Sequence, residues 1–275
     1  MNKIKLLFLL FVFTRVLFGQ EISKTTLSIG TSIQFNSDIL KENRVLNVYL
    51  PASYTDSISK KYPIIYLLDG AMDEDFIHIT GLVQFCAFDW APLIPESIVV
   101  GIANVDRKRD FTYPTSIAQD KEDFPTTGGS AAFIEFLEKE VKTIVNQEFR
   151  VSEQETIIGQ SLGGLLLSEL LFTKPDLFDT YIIVSPSLWW DNFSLLDKEL
   201  PVIAPPKKIF IAVGEEGPSM ESSAMRLLAR LQKLRKRALE KTLVIRYDFM
   251  EGYDHSNLLH SAVYKAFKTF NKATQ

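Results

Sequence analysis

The pentapeptide at residues 159–163, Gly-Gln-Ser-Leu-Gly, restricts the folds open to this chain more than any other feature. A short strand-like segment at 156–158 precedes it, and an apolar helix-like segment at 162–172 follows it. A G-x-S-x-G turn between a strand and a helix strains the backbone of the serine and exposes its hydroxyl above the sheet. Ser161 is therefore the predicted nucleophile. We expect glycine to be required at 159 and 163, because a side chain there would collide with the neighbouring strand or helix.

Strand-like and helix-like segments alternate along most of the chain. The apolar runs at 62–68 and 97–102 are typical of strands buried on both faces. Other strands are predicted at 25–35, 45–50, 181–184, 209–213 and 243–247, the first two antiparallel, and helices at 132–149, 222–239 and 256–270. The alternation predicts an α/β fold, with a mainly parallel twisted sheet of about eight strands and helices on both faces. Residues 114–129 are predicted to form a loop over the site.

The N-terminal segment has the features of an export signal. Lys3 and Lys5 precede an apolar run at 6–13, and Gly19 is a small residue suited to cleavage. We expect residues 1–19 to be a signal peptide and residues 20–275 a single domain, periplasmic or secreted, without stable membrane insertion. A short amphipathic N-terminal helix is the alternative. Cleavage would remove three positive charges, changing the net charge from −4 to −7.

Charge and cysteine count exclude two classes of protein. The net charge of −4, without long basic runs, argues against a nucleic-acid partner. The chain has one cysteine, Cys86, so neither an internal disulfide nor a cysteine-based zinc site is expected.

The serine needs a base, and the chain has three histidines. His255 lies in the predicted loop between the last strand and the last helix, which is where the order serine, acid, histidine places the base. His260, inside the last helix, is the alternative, and His78 is read as a core or surface residue. The acid should follow a late strand, and Glu216 is the first choice. Glu215, Glu221 and Asp191 remain open.

Two backbone N–H groups are predicted to hold the oxyanion. The N–H of Leu162 lies beside the nucleophile at the start of a helix. The N–H of Ala71 follows the strand at 62–68, and Gly70 before it permits a close approach of the backbone.

Further motifs accompany the turn at 159–163. They are the segments 62–70, 101–104, 109–112, 185–191, 214–215 and 252–255, with Arg107 and Met220. Together they resemble the esterase branch of the α/β-hydrolases, which includes esterases of ferric enterobactin and bacillibactin and relatives of feruloyl esterases and S-formylglutathione hydrolases. The resemblance covers about residues 44–270. It implies an α/β-hydrolase fold and ester hydrolysis by Ser161 and His255 without a metal or cofactor.

The chain departs from the family pattern at two positions. Gln160 replaces a frequent histidine, and Gly217 stands where the family often has a second glutamate. Of the site residues, the acid is therefore the one that the resemblance supports least. Some siderophore esterases resemble Ser–His dyads that lack the acid.

The predicted partner is a small-molecule ester. Trp189 suits an aromatic acyl group such as a catechol or cinnamoyl ester, whereas Trp190 is expected in the core. Arg107 is a candidate for binding an anionic substrate, and Arg109 forms either part of that site or an ion pair with Asp110. Two alternatives to an esterase remain: an acyltransferase of the same superfamily, and a catalytically silent domain that binds a ligand such as a siderophore.

Overall fold

A computed structural model describes residues 22–204, 207–238 and 243–272. Its centre is an eight-stranded sheet with the order β1-β2-β4-β3-β5-β6-β7-β8. The strands are β1 Thr31–Ser37, β2 Glu42–Tyr49, β3 Tyr62–Leu67, β4 Ile98–Ile102, β5 Val151–Gln160, β6 Thr180–Val184, β7 Lys207–Gly214 and β8 Leu243–Met250. Strand β2 is antiparallel to β1 and to β4, and the other neighbouring pairs are parallel. The predicted α/β-hydrolase architecture is confirmed.

Helices cover both faces of this sheet. The helices are α1 Phe76–Cys86, α2 Arg107–Asp110, α3 Ala118–Asp123, α4 Ser130–Phe136, α5 Lys142–Glu148, α6 Leu162–Thr173, α7 Trp190–Phe193, α8 Pro218–Ala238 and α9 Leu259–Lys272. A π-helical turn, Leu137–Val141, joins α4 to α5. Side chains of α4, α5, α6 and α8 belong to one buried cluster, and those of α1 and α9 belong to the second. Burial on both faces explains why the central strands are continuously apolar.

Several predicted boundaries were wrong. The first strand begins at Thr31 rather than 25, and β5 spans Val151–Gln160 rather than 156–158. The outer part of β5 is polar and partly exposed, so its sequence lacks the apolar signal of a buried strand. Residues 114–129 are not entirely irregular, since they contain α3. Phe124, at the end of α3, packs against Trp189 and Trp190.

A buried ion-pair cluster joins the second strand to the segment after β4. The side chain of Arg44 is 1% exposed and pairs with Glu42 and Asp110. Arg109 donates to Asp110 at 2.8 Å and to Glu42 at 2.6 Å. A buried charge that loses its partner costs about 3–5 kcal/mol. The structure therefore gives Arg109 the role of a structural ion pair, one of the two alternatives drawn from the sequence.

The signal-peptide prediction for residues 1–19 lies outside the described residues. Within 22–204, 207–238 and 243–272, no helix combines the length and apolar character needed to cross a bilayer.

Candidate active site

The turn at 159–163 places Ser161 between β5 and α6 in a strained conformation. Its φ of 61° and ψ of −119° lie in a region that side-chain-bearing residues rarely adopt. Two hydrogen bonds hold this conformation: the Ser161 N–H donates to the Val184 carbonyl, and the Ser187 N–H donates to the Ser161 carbonyl, both at 3.0 Å. Strain of this kind costs about 1–3 kcal/mol and persists only where surrounding contacts enforce it. The geometry matches the nucleophile turn expected from the sequence.

The glycine requirement differs from the prediction at one position. A Cβ on Gly159 would lie 2.9 Å from the backbone of Gly163, so glycine is required there, as expected. A Cβ on Gly163 would meet its nearest neighbour at 3.4 Å, an ordinary contact, so the expectation that glycine is required at 163 was wrong. Gly164 is the second restricted position, because its Cβ would lie 2.9 Å from Pro186 Cα and from the Val184 carbonyl oxygen.

Two parallel strands bring the candidate base and acid together. Glu216 follows the end of β7, and His255 lies in the loop between β8 and α9. Nδ1 of His255 lies 2.5 Å from Oε2 of Glu216. Because an ionised carboxylate only accepts hydrogen bonds, Nδ1 carries the proton and Nε2 keeps its lone pair. A histidine in this tautomer can accept a proton from a serine hydroxyl.

Glu216 is held as a carboxylate by its surroundings. Its side chain is 3% exposed, and Oε1 accepts hydrogen bonds from the Ser185 hydroxyl and from the Gly214 N–H. Burial alone would raise the pKa of Glu216, but the hydrogen bonds from His255, Ser185 and Gly214 outweigh burial and lower it. The group therefore remains ionised at neutral pH and can stabilise a protonated His255.

The other candidate acids have different partners. Glu215 accepts the Gly252 N–H at 3.0 Å, and Glu221 accepts the Gly217 N–H at 2.9 Å. Asp191 accepts hydrogen bonds from the N–H and the hydroxyl of Ser116. All three carboxylates therefore serve loop structure, and Glu216 is the candidate that contacts His255.

Ser161 and His255 line the same cavity of about 460 Å³. Its other lining residues are Ser187, Trp189, Glu215, Glu216, Met220 and Asp254. The Ser161 hydroxyl lies 3.3 Å from the Ser187 hydroxyl, and its hydrogen bond in this structure is with Ser187 rather than with His255. Hydrogen bonds between catalytic groups are often long before substrate binds and tighten in the complex.

The sequence interpretation did not assign roles to Ser185 and Ser187. Both belong to the motif at 185–191, and Ser185 has a φ of 43°. Directly after β6, Ser185 contacts Glu216 and Ser187 contacts Ser161. Serine occurs on both sides of Pro186, directly after a buried strand, and this is the sequence signal that could have identified the two residues.

The two predicted oxyanion donors differ in their availability. The N–H of Leu162 belongs to the first residue of α6, where backbone N–H groups have no acceptor within the helix. The N–H of Ala71 donates to Oε2 of Glu74 at 2.8 Å, and Asn104 holds the other oxygen of Glu74 at 2.6 Å. Ala71 can therefore contact an oxyanion only after the Glu74 carboxylate moves.

The substrate-side residues occupy three different environments. Trp189 lines the cavity and is partly buried, whereas Trp190 is fully buried and donates to the Tyr113 carbonyl at 2.8 Å, as expected for a core residue. Arg107 is bound by Asp69 through Nε at 2.6 Å and through Nη2 at 3.0 Å. Its charge is therefore already paired within the protein.

A second cavity of about 420 Å³ adjoins the first at Ser161 and His255. It is lined by Asp69, Glu74, Asp75, Arg107 and Gln160. The side chain of Gln160 donates to the carbonyl of His255 at 2.6 Å. Gln160, which replaces a frequent histidine of the family, thus ties the loop of the candidate base to the turn of the nucleophile.

His260, the alternative base, lies at the start of α9. It faces Asp75 and His78, with Nε2 3.6 Å from Oδ1 of Asp75 and its ring centroid 4.6 Å from that of His78. It does not line either cavity at Ser161.

Comparisons with known proteins identify the family to which the chain belongs. The family model described as "Putative esterase" matches residues 37–267. The ferri-bacillibactin esterase BesA of Bacillus subtilis is 31% identical over 269 residues, covering 87% of this chain and 89% of that protein.

Two solved structures are similar over most of their length. An IroE-like serine hydrolase from Shewanella oneidensis has a TM-score of 0.78 at 26% identity, covering 90% of this chain and 81% of its own. The BES protein from Bacillus cereus has a TM-score of 0.76 at 25% identity, and the match covers 90% of this chain and 97% of that chain. The nucleophile turn, the α/β sheet and these relatives together show that the chain belongs to the esterase family of α/β-hydrolases and is a carboxylic ester hydrolase.

Proposed function

We propose that the chain hydrolyses esters through an acyl-enzyme on Ser161, with His255 as the general base and Glu216 as the acid that orients it. The observation that carries the proposal is the shared cavity, in which the strained serine and a carboxylate-bound histidine face the same space. His255 takes the proton as Ser161 attacks the ester carbonyl, and then returns it to the leaving alcohol. Water releases the acyl group by the same steps.

The oxyanion of each tetrahedral intermediate needs hydrogen-bond donors. The Leu162 N–H is open at the start of α6 and is the first donor. The Ala71 N–H becomes the second when substrate displaces the carboxylate of Glu74 from it. The loss of one oxyanion donor lowers kcat by about 10²–10³-fold. The Ala71 N–H, once freed from Glu74, would therefore stabilise the transition state by about 2.7–4 kcal/mol.

We further propose that the acyl group is aromatic, as in a siderophore or a catechol or cinnamoyl ester. Trp189 offers a partly buried aromatic wall to the cavity of Ser161 and packs 6.1 Å from Phe124 between ring centroids. The name of the relative in Bacillus subtilis specifies ferri-bacillibactin. Arg107 lines the adjoining cavity, where its guanidinium is bound by Asp69. A kcat/KM for a catechol or cinnamoyl ester no higher than for a short aliphatic ester would contradict this proposal.

The nucleophile is tested by intact-mass spectrometry after treatment with a fluorophosphonate. Wild type should gain one adduct, and Ser161→Ala should gain none. Ser187→Ala is the matched control, since its hydroxyl lies 3.3 Å from that of Ser161 and should be dispensable for labelling. An adduct lost in Ser187→Ala but kept in Ser161→Ala would overturn the assignment, and no adduct on folded wild type would favour a silent ligand-binding domain.

Export to the periplasm or the medium is also part of the proposal. It rests on the basic and apolar pattern of residues 1–19, with residues 20–275 remaining as the mature domain. N-terminal sequencing of the mature protein from fractionated cells tests it. A cytoplasmic protein that retains Met1 to Gly19 would contradict it.

A further inference from the structure

A cluster of two histidines and one carboxylate lies beside the candidate active site. Asp75 precedes α1, His78 lies in the first turn of α1, and His260 lies in the first turn of α9. One possible ligand atom from each residue lies within 4.8 Å of the other two. The sequence interpretation read His78 as a core or surface residue and considered His260 only as an alternative base, so neither histidine has a role in the proposed reaction.

The cluster is built on a packed framework. Helices α1 and α9 cover the same face of the sheet, and Ile79 and Val263 beside the two histidines are fully buried in one cluster. Asp75 and His78 are three residues apart, which places both side chains on the same side of the helix start. The backbone positions of the three residues are therefore set by the core rather than by a surface loop.

The state of His260 suits a metal ligand. Its Nε2 is buried and has no hydrogen-bond partner within the described residues, although it lies 3.6 Å from Oδ1 of Asp75. A neutral imidazole with an unused lone pair is the form that binds metal ions.

The state of Asp75 suits a cation as its partner. In the described part of the chain, its one ion-pair partner is His260, whose Nε2 lies 3.6 Å from Oδ1 of Asp75. Glu74 adds a further carboxylate to the same cavity wall, while Arg107 is already paired with Asp69. The wall therefore carries more negative than positive charge.

We propose that Asp75, His78 and His260 bind a divalent transition-metal ion such as Zn²⁺. Two imidazole nitrogens and one carboxylate oxygen form a ligand set that zinc and related ions accept. Ligands of tetrahedral zinc are about 3.3 Å apart when each lies about 2.0–2.1 Å from the ion. The 3.6 Å between His260 and Asp75 is already close to that spacing. The ligand atom of His78 lies within 4.8 Å of the other two, and a rotation of this exposed side chain would bring it to the ion.

The site lies beside the cavity of Ser161, which distinguishes it from a site that holds a purely structural ion. Asp75 lines the second cavity together with Ser161 and His255, so the ion lies at the wall of the space that receives the ester. Three protein ligands leave at least one coordination position for water or another oxygen ligand. The ion would also offset the negative charge of Asp69 and Glu74 on that wall.

Isothermal titration of the full, tag-free chain with ZnCl₂ tests the proposal. We expect one zinc ion per chain in wild type. The affinity for zinc should fall about tenfold or more in His78→Ala and in His260→Ala, because removing even a group that only hydrogen-bonds to a metal ligand lowers metal affinity by about that factor. His255→Ala is the matched control, because it removes the third histidine of the chain, and it should bind zinc as wild type does. Replacing Zn²⁺ with Co²⁺ should give visible absorption bands that His78→Ala weakens.

Two results would overturn the proposal. One is the absence of zinc binding by wild type up to about 1 mM, a Kd that corresponds to only about 4 kcal/mol of binding free energy. The other is binding that His255→Ala abolishes while His78→Ala and His260→Ala leave it unchanged, which would place the ion at the candidate base. His78 is exposed, so its alanine variant keeps the test valid if His260→Ala fails to fold. The titration can be repeated on Ser161→Ala, so its outcome is independent of esterase activity.

Discussion

The substitution Glu216→Gln tests how His255 is oriented. Oε1 of Glu216 accepts hydrogen bonds from the Ser185 hydroxyl and the Gly214 N–H, and Oε2 contacts Nδ1 of His255. In the variant, the amide oxygen must remain at the Oε1 position, because the Gly214 N–H can only donate. The amide NH₂ then faces Nδ1 and donates to it. His255 is forced into the tautomer with its proton on Nε2, where it cannot accept the proton of Ser161.

The size of the effect follows from this change of tautomer. Replacing the carboxylate by its amide in a Ser–His–acid site lowers kcat by about 10⁴-fold, or about 5.4 kcal/mol of transition-state stabilisation. The side chain of His255 is 47% exposed, so part of the population can turn its ring toward solvent and recover the active tautomer. We therefore expect a loss of about 10³-fold in kcat, with a small change in KM.

The assay is hydrolysis of p-nitrophenyl acetate by wild type, Glu216→Gln and the control Glu251→Gln. Glu251 lies in an exposed turn directly after β8, and its substitution should leave kcat within about twofold of wild type. Nitrogen NMR of the imidazole should show the proton on Nδ1 in wild type and on Nε2 in Glu216→Gln. A loss below about tenfold, with the tautomer unchanged, would refute the role of Glu216 and indicate a Ser–His dyad.

Two further predictions concern stability. Gly164→Ala should lower the free energy of unfolding by about 1–3 kcal/mol, because its Cβ would lie 2.9 Å from Pro186. Gly163→Ala, whose Cβ would lie 3.4 Å from Leu68, should leave the free energy of unfolding unchanged or raise it by up to about 1 kcal/mol. Equal urea midpoints for the two variants would contradict this. Burial raises the pKa of Glu216 but its hydrogen bonds lower it overall, so its contribution to stability is present above the ordinary pKa of 4.5 and is lost as pH falls through the native pKa. Urea unfolding from about pH 6 to about pH 3 should therefore show a smaller loss of stability in Glu216→Gln than in wild type, and parallel curves would be the contrary result.

The sequence alone was sufficient for the architecture and for naming Ser161 and His255 as candidates for the nucleophile and the base. Apolar runs such as Ile98–Ile102 alternate with amphipathic helices, and this periodicity depends only on neighbours along the chain. The prediction of Ser161 as the nucleophile was equally local, because the strand, the turn and the helix around it are consecutive. His255 followed from chain order in the fold. Strand ends were predicted less well where exposed polar residues continue the ladder, as in β5.

The tertiary structure decided which groups meet across the sheet. Glu215, Glu216 and Glu221 are close in sequence and chemically alike, and only the direction of the chain after β7 aims Glu216 at His255. Likewise, Gly164 is restricted by Pro186, which belongs to another loop.

The tertiary structure also decided which partners bind the charged groups and the backbone donors of the site. The N–H of Ala71 was predicted to be an oxyanion donor, but it donates to Glu74 in this structure. Arg107 was predicted to bind substrate, but its guanidinium is bound by Asp69. His78 and His260 have no sequence pattern in common and meet because α1 and α9 pack on one face of the sheet. Local sequence determines helices, strands and tight turns through short-range sterics and hydrophobic periodicity. Contacts between distant segments depend on how those elements pack, which is decided only when the whole core is assembled.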